Sequence, residues 1–153
     1  MSGVTHQDPV VDNPLALEEQ VCFALVVAAR SVVAVYRPAL EPMGLTHPQY
    51  LVMLALWQHA PVSVKDLSRM LQLDPGTLSP LLKRLQAAGL IRRERDQDDE
   101  RSLAITLTDT GTALRAEAET VPGQIVERLG MPLAELIEMR QMLTRVIAAA
   151  GSS

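Results

Sequence analysis

The sequence predicts a mainly helical fold with one small β-hairpin. Three observations predict it. Apolar residues make up 48% of the 153-residue chain but aromatics only 3%, so the core is built from Leu, Val, Ala, Ile and Met, which favours packed helices. Capping signals for a helix start recur at Asn13-Pro14, at Thr46 with Gln49, and at Asp74-Pro75. One stretch, Leu103, Ile105 and Leu107, alternates with the period of a strand.

The elements follow in order. Asn13 caps and Pro14 opens a long first helix, with Leu17, Val21, Leu25, Ala28 and Val32 on one stripe. Pro38 and Pro42 disturb or end it. Thr46 caps the second helix, whose run YLVMLALW is nearly all apolar and therefore expected at the centre of the core. The stretch PVSV is too short to classify. Ser63 caps a short helix with Val64, Leu67, Met70 and Leu71 apolar. Asp74-Pro75 opens a fourth helix, with Leu78, Leu81, Leu82 and Leu85 on its inner face, a local bend at Pro80 and a stop at Gly89. The polar RDQDDER stretch reads as a hairpin tip. Thr108 or Asp109 starts a further helix, Pro122 interrupts it, and a last helix runs from about 132 to 149.

A short helix, a tight turn, a second helix and a charged hairpin make a winged helix-turn-helix. The long flanking helices carry more apolar surface than one small winged domain needs. Burying them against a second copy gives a two-fold dimer. The chain therefore reads as one domain. Residues 1–12 are a flexible arm, 13–45 and 109–150 supply dimerisation helices, and 46–108 form a DNA-binding lobe with its wing at about 90–107.

Charge and cysteine content narrow the function. The formal net charge of −4 excludes a globally basic nucleic-acid binder but not a locally basic face. A single cysteine, Cys22, cannot form an intrachain disulfide, in keeping with a reducing cytosol. The polar N-terminus lacks a secretory signal, and no apolar run is expected to reach membrane-spanning length. The expectation is a cytoplasmic protein with no membrane partner. His6 and His59 have no clustered ligands, so neither a metal nor a cofactor is expected.

The fourth helix would enter the major groove of double-stranded DNA with its N-terminal residues at base edges. Thr77 and Ser79 suit base contacts, while Lys83 and Arg84 suit phosphates. The hairpin's five acids, Asp96, Asp98, Asp99, Glu100 and the preceding Glu94, make a poor nonspecific clamp. Arg101 can still enter a minor groove if those acids hold it in place. The plainer reading is an ordinary solvated surface, which the salt dependence of duplex binding distinguishes.

DLSRMLQLDPGTLSPLLKRLQAAGLIRRERDQDDERSLAITLTDTG resembles the winged-helix core of the MarR superfamily of bacterial repressors. LEEQVCFALVVAARSVVAVYRPALEPMGLTHPQYLVMLALW more narrowly resembles the organic-hydroperoxide-sensing OhrR branch. The resemblance implies a homodimeric repressor that holds a pseudo-palindromic operator when reduced. It implies that Cys22 is the peroxide sensor and that Tyr36 hydrogen-bonds the cysteine of the other subunit. Where the branch usually has a second tyrosine this chain has His47, and where it has a third aromatic it has Val26.

Helix arithmetic bears on that pairing. Cys22 and Tyr36 are fourteen residues apart, which on a continuous helix is about 40° in angle and ~21 Å in length. They cannot touch within one unbroken helix, but two copies crossing antiparallel near Ala29 bring each Cys22 to the other's Tyr36. Locally, Glu18 and Glu19 oppose ionisation of the thiol. A helix beginning at Pro14 also puts Cys22 past the first turn, where the dipole helps little. Support for a thiolate must then come from Tyr36 or His47.

Read without the resemblance, Cys22 is buried packing, Tyr36 a core-edge aromatic and His47 a solvated helix-start residue. The leading reading is a redox repressor, not an enzyme. In it an organic hydroperoxide oxidises Cys22 and a low-molecular-weight thiol caps it. The rivals are a small-ligand-responsive repressor with a structural Cys22, a one-cysteine peroxidase and a helical dimerisation module.

Overall fold

A computed structural model describes residues 13–95 and 103–151, so the expected arm over 1–12 and the hairpin tip over 96–102 lie outside the described residues. Residues up to Ala34 form one compact unit and those from Val35 onward a second.

In the first unit the chain departs from the sequence expectation. Asn13 and Pro14 do not open the long helix. The Asn13 side chain accepts from the Leu15 N–H at 3.2 Å and makes a local turn. A short 3₁₀ helix, Leu17–Glu19, follows, and helix α1 begins only at Val21. Gln20 fixes the junction, its side-chain amide donating to the carbonyls of Pro14 at 2.7 Å and Ala16 at 3.1 Å. The Asx-type turn satisfies Asn13 in a non-helical backbone and so competes with capping. Helix α1, Val21–Leu40, continues through Pro38, and its residues from Val35 belong to the second unit.

The second unit holds the core. After α1 comes a 3₁₀ turn, Glu41–Met43, with Pro42 as its second residue, which ends on Gly44 at φ +67°, the left-handed region that favours glycine. Helix α2, His47–His59, carries the expected capping box: the Gln49 N–H reaches the Thr46 hydroxyl at 3.4 Å and the Gln49 side chain accepts from the Thr46 N–H at 3.1 Å. It is not buried on every side. Val52, Met53 and Leu56 are buried, whereas Leu51 and Leu54 are each 41% exposed. The unclassified PVSV stretch contains strand β1, Val62–Ser63.

The helix-turn-helix is α3, Val64–Leu71, and α4, Pro75–Ala87. Ser63 caps α3, accepting from the Asp66 N–H at 3.0 Å, and Asp74 caps α4, accepting from the Thr77 N–H at 2.8 Å. Leu67, Leu78, Leu82 and Leu85 are buried together, with Leu81 beside them. The wing strands β2, Ile91–Arg95, and β3, Leu103–Leu107, pair antiparallel, with Arg93 opposite Ile105. Strand β1 adds to the other edge of β3, giving the order β1-β3-β2.

Thr108 caps α5, Asp109–Ala118. Pro122 marks the break, but the chain resumes at once as a separate helix α6, Val121–Leu129, before α7, Leu133–Gly151. Helix α5 docks through one close approach. Gly111 lies so near the Leu90 carbonyl that no Cβ fits between them. The indole N–H of Trp57 on α2 donates to the Gly111 carbonyl at 2.9 Å.

Two faces remain uncovered. Helix α7 has no buried residue, with Leu133 and Met142 each 58% exposed. On α1, Val21, Phe23, Val26 and Val27 are exposed. The span Val21–Met43, with hydropathy 1.6, is long and apolar enough to cross a membrane by length and composition, contrary to the sequence expectation. Arg30 falls near its middle, where a bilayer would charge ~2.5–3.5 kcal/mol for one cation.

Replacing Gly111 with alanine is expected to force α5 away from Leu90 and to lower stability by ~1–3 kcal/mol. Urea unfolding followed by the fluorescence of Trp57, the one tryptophan, checks it. An unchanged midpoint contradicts the close approach.

Candidate functional site

The helix expected to read DNA presents its polar residues as the leucine pattern requires. Thr77, Lys83 and Arg84 are exposed and Ser79 is half-buried, while the four leucines face inward. Thr77 is less free than its type suggests. Its hydroxyl donates to the Asp74 carboxylate at 3.0 Å, leaving only lone pairs and a methyl for a partner. The Thr77 N–H and hydroxyl hold the Asp74 carboxyl below the usual carboxylate range, so it is an anion at neutral pH. Arg101 lies outside the described residues.

One contact here was missed in the sequence. Arg93 on β2 donates from Nη2 to the Ser79 carbonyl at 3.2 Å, bracing the wing against α4. Its signal is the strand period: Arg93 is two residues from the buried Ile91 and shares its face.

Around the cysteine, the late start of α1 matters. Cys22 is the second residue of the helix, not a residue beyond the first turn. The first bond from Gln20 is accepted from the Ala24 N–H at 3.3 Å. The N–H groups ahead of Ala24 are therefore unpaired within the helix, at its positive end. This corrects the expectation that the dipole offers Cys22 little. Cys22 is exposed, so packing within the chain does not account for it. Glu18 and Glu19 are exposed in the 3₁₀ turn just before it.

Tyr36 and His47 do come together. Their rings pack edge to face with centroids 4.9 Å apart. Tyr50 completes the cluster, 5.8 Å from Tyr36 and 6.4 Å from His47. It was missed in the sequence, although it lies three residues after His47 and so on the same helix face. Burial lowers the His47 pKa, favouring the neutral imidazole over the imidazolium. Burial likewise raises that of Tyr36. For Tyr50 burial acts first and the neighbouring Tyr36 second, both upward. The cluster thus offers two phenolic O–H groups and a neutral imidazole, all able to donate hydrogen bonds without carrying charge.

The sign of the His47 shift fixes a pH effect. Its folded pKa lies below its unfolded value of about 6.5, so the folded state resists protonation. Stability is full above about pH 6.5 and is lost as pH falls through the folded pKa. Wild type is expected to lose thermal stability as pH falls below about 6.5, and His47→Gln to lose less. Matching pH profiles contradict the burial of His47.

Comparison with known proteins follows the same outline. The MarR family profile matches residues 45–103. The HTH-type transcriptional regulator TtmR of Methylorubrum extorquens strain PA1 is 43% identical over 146 residues, 93% of this chain and 75% of that protein. The organic hydroperoxide resistance transcriptional regulator of Bacillus subtilis strain 168 is 44% identical over 112 residues, 73% and 76% of the two. Among solved structures, reduced AbfR bound to DNA superposes with a TM-score of 0.67 at 37% identity, covering 86% of this chain and 94% of that one. AbfR, from Staphylococcus epidermidis, is also known in a disulfide-formed state, at TM-score 0.60 and 33% identity over 89% and 90% of the chains. The winged helix-turn-helix core and these relatives place the chain in the MarR family of transcriptional regulators.

Proposed function

We propose that the chain is a homodimeric, redox-responsive repressor of the cytoplasm that holds a pseudo-palindromic DNA operator when reduced and releases it when Cys22 is oxidised. The observation that carries this is the exposed Cys22 thiol in the first turn of α1, on a helix whose apolar side chains the chain leaves uncovered. Relatives named for hydroperoxide resistance and for reduced and disulfide states support it.

In the dimer two α1 helices cross antiparallel. Helix α1 is one helix from Val21 to Leu40, the condition the sequence arithmetic needs. Cys22 then meets the partner subunit's Tyr36 and the partner subunit's His47, whose neutral donors hydrogen-bond the thiolate. The thiolate attacks the peroxide oxygen, breaking the O–O bond; Cys22 becomes a sulfenic acid, and the leaving alkoxide takes a proton from water to become the alcohol. A low-molecular-weight thiol then displaces water and forms a mixed disulfide. The adduct's bulk parts the donors from the sulfur and shifts the two lobes. Thr77 and Ser79 meet base edges, Lys83 and Arg84 meet phosphates, and Arg101 enters the minor groove in this reading.

A second reading rests on a cavity of about 340 Å³ lined by Tyr50, Leu54, Trp57, Arg115 and Pro122. A small effector filling it would release DNA without covalent change, with Cys22 structural.

Cumene hydroperoxide with a thiol is expected to lower duplex affinity at least tenfold for wild type and to leave Cys22→Ser unaffected, with a thiol adduct on Cys22 by intact mass. An equal response from Cys22→Ser sinks the redox reading. Loss of binding without an adduct favours the effector.

A further inference from the structure

A cleft of about 390 Å³ lies between the base of the wing and the helix-turn-helix, lined among others by Ser63, Lys65, Pro75, Ser79, Arg93 and Leu103. Among the described residues it holds two cations, and none of its lining side chains is acidic. Lys65 is exposed and takes part in neither ion pair found among the described residues. The first turns of two helices contribute to its wall: Ser63 caps α3, Lys65 is its second residue, and Pro75 is the first residue of α4. The start of α3 favours an anion, whereas that of α4 is already occupied by the Asp74 carboxylate.

Arg93 is the telling residue. Its bond to the Ser79 carbonyl at 3.2 Å fixes the guanidinium at the cleft wall. Its Nε–H is buried and has no hydrogen-bond partner among the described residues. A buried donor left unmet is uncommon and costly in a folded protein. The guanidinium charge is delocalised over its three nitrogens, so an anion beside the group offsets part of the cost of burying it.

We propose that this cleft binds one backbone phosphate of duplex DNA, held by Arg93 and Lys65, and that the bound phosphate clamps the wing to the reading helix. The proposal rests on the DNA-binding reading above. A fixed guanidinium beside a mobile ammonium suits phosphate better than a base edge, because neither needs sequence-dependent geometry. A free phosphate anion has the same chemistry, and the test separates the two.

The probe is a duplex selected by the wild-type protein from a random library, then substituted with neutral methylphosphonate at one backbone position at a time. One position in each half-site is expected to weaken wild-type binding about tenfold. Lys65→Ala and Arg93→Gln are each expected to lose about tenfold on the unmodified duplex and nothing further at that position. Their salt slopes should fall by about one per half-site. Lys65 is exposed, so its variant reads the contact even if Arg93→Gln disturbs the wing. If variant and methylphosphonate losses multiply at every position, the phosphate contact is overturned while DNA binding stands. Saturable binding of inorganic phosphate that both variants abolish and that displaces duplex assigns the cleft to a free anion and also overturns it. A wild-type protein that selects no duplex removes both readings.

Discussion

Apolar surface that a folded chain leaves in water must be covered, and in this molecule that requirement falls on the two longest helices. Helix α7 buries none of its residues within the chain, and α1 leaves Val21, Phe23, Val26 and Val27 exposed. At about 25 cal/mol per Å² of apolar area, covering such faces is a strong drive to associate. Everything proposed for the function depends on this. In the proposed dimer a second copy would cover the helices, fix the spacing of the two α4 helices and bring the thiol of one subunit to the aromatic cluster of the other.

The winged helix-turn-helix faces a separate electrostatic problem. A chain with net charge −4 must bind a polyanion through local arrangement. Lys83 and Arg84 sit opposite the leucine face of α4, and Lys65 and Arg93 flank the cleft behind it. Asp74 works against phosphate but is committed to capping, and it accepts a hydrogen bond from the Thr77 hydroxyl as well. The reading helix therefore offers acceptors at its first turn and cations further along. That division is suited to specificity near the start of the helix and affinity beyond it.

Much of this was legible in the sequence because local rules agreed with the fold. The caps at Thr46, Ser63, Asp74 and Thr108 all form. The leucines of α4 are buried as their spacing requires. The errors have physical causes. Asn13-Pro14 carries a helix-start signal, but the Asn13 side chain closes a turn with Leu15 instead, and the helix waits until Val21. Strand β1 is two residues long and exists through pairing with β3, forty-odd residues away in sequence. Leu51 and Leu54 look like core by composition, yet only one face of α2 meets the lobe. Tyr50 and Arg93 were missed because their roles come from side chains brought together by the fold. The late helix start has the largest consequence, because it moves Cys22 from mid-helix to the first turn.

The central claim is that each sensor is assembled from two subunits, and mixed dimers test it most directly. One dimer combines a Cys22→Ser chain with a Tyr36→Phe chain. The other combines wild type with a chain carrying both substitutions. Each contains one Cys22 and one Tyr36, so only their placement differs. The first retains Cys22 opposite the partner subunit's Tyr36 and is expected to oxidise at the wild-type rate per site. The second places Cys22 opposite phenylalanine and is expected to react more slowly. The reverse order, or equal rates, contradicts a sensor shared across the dimer.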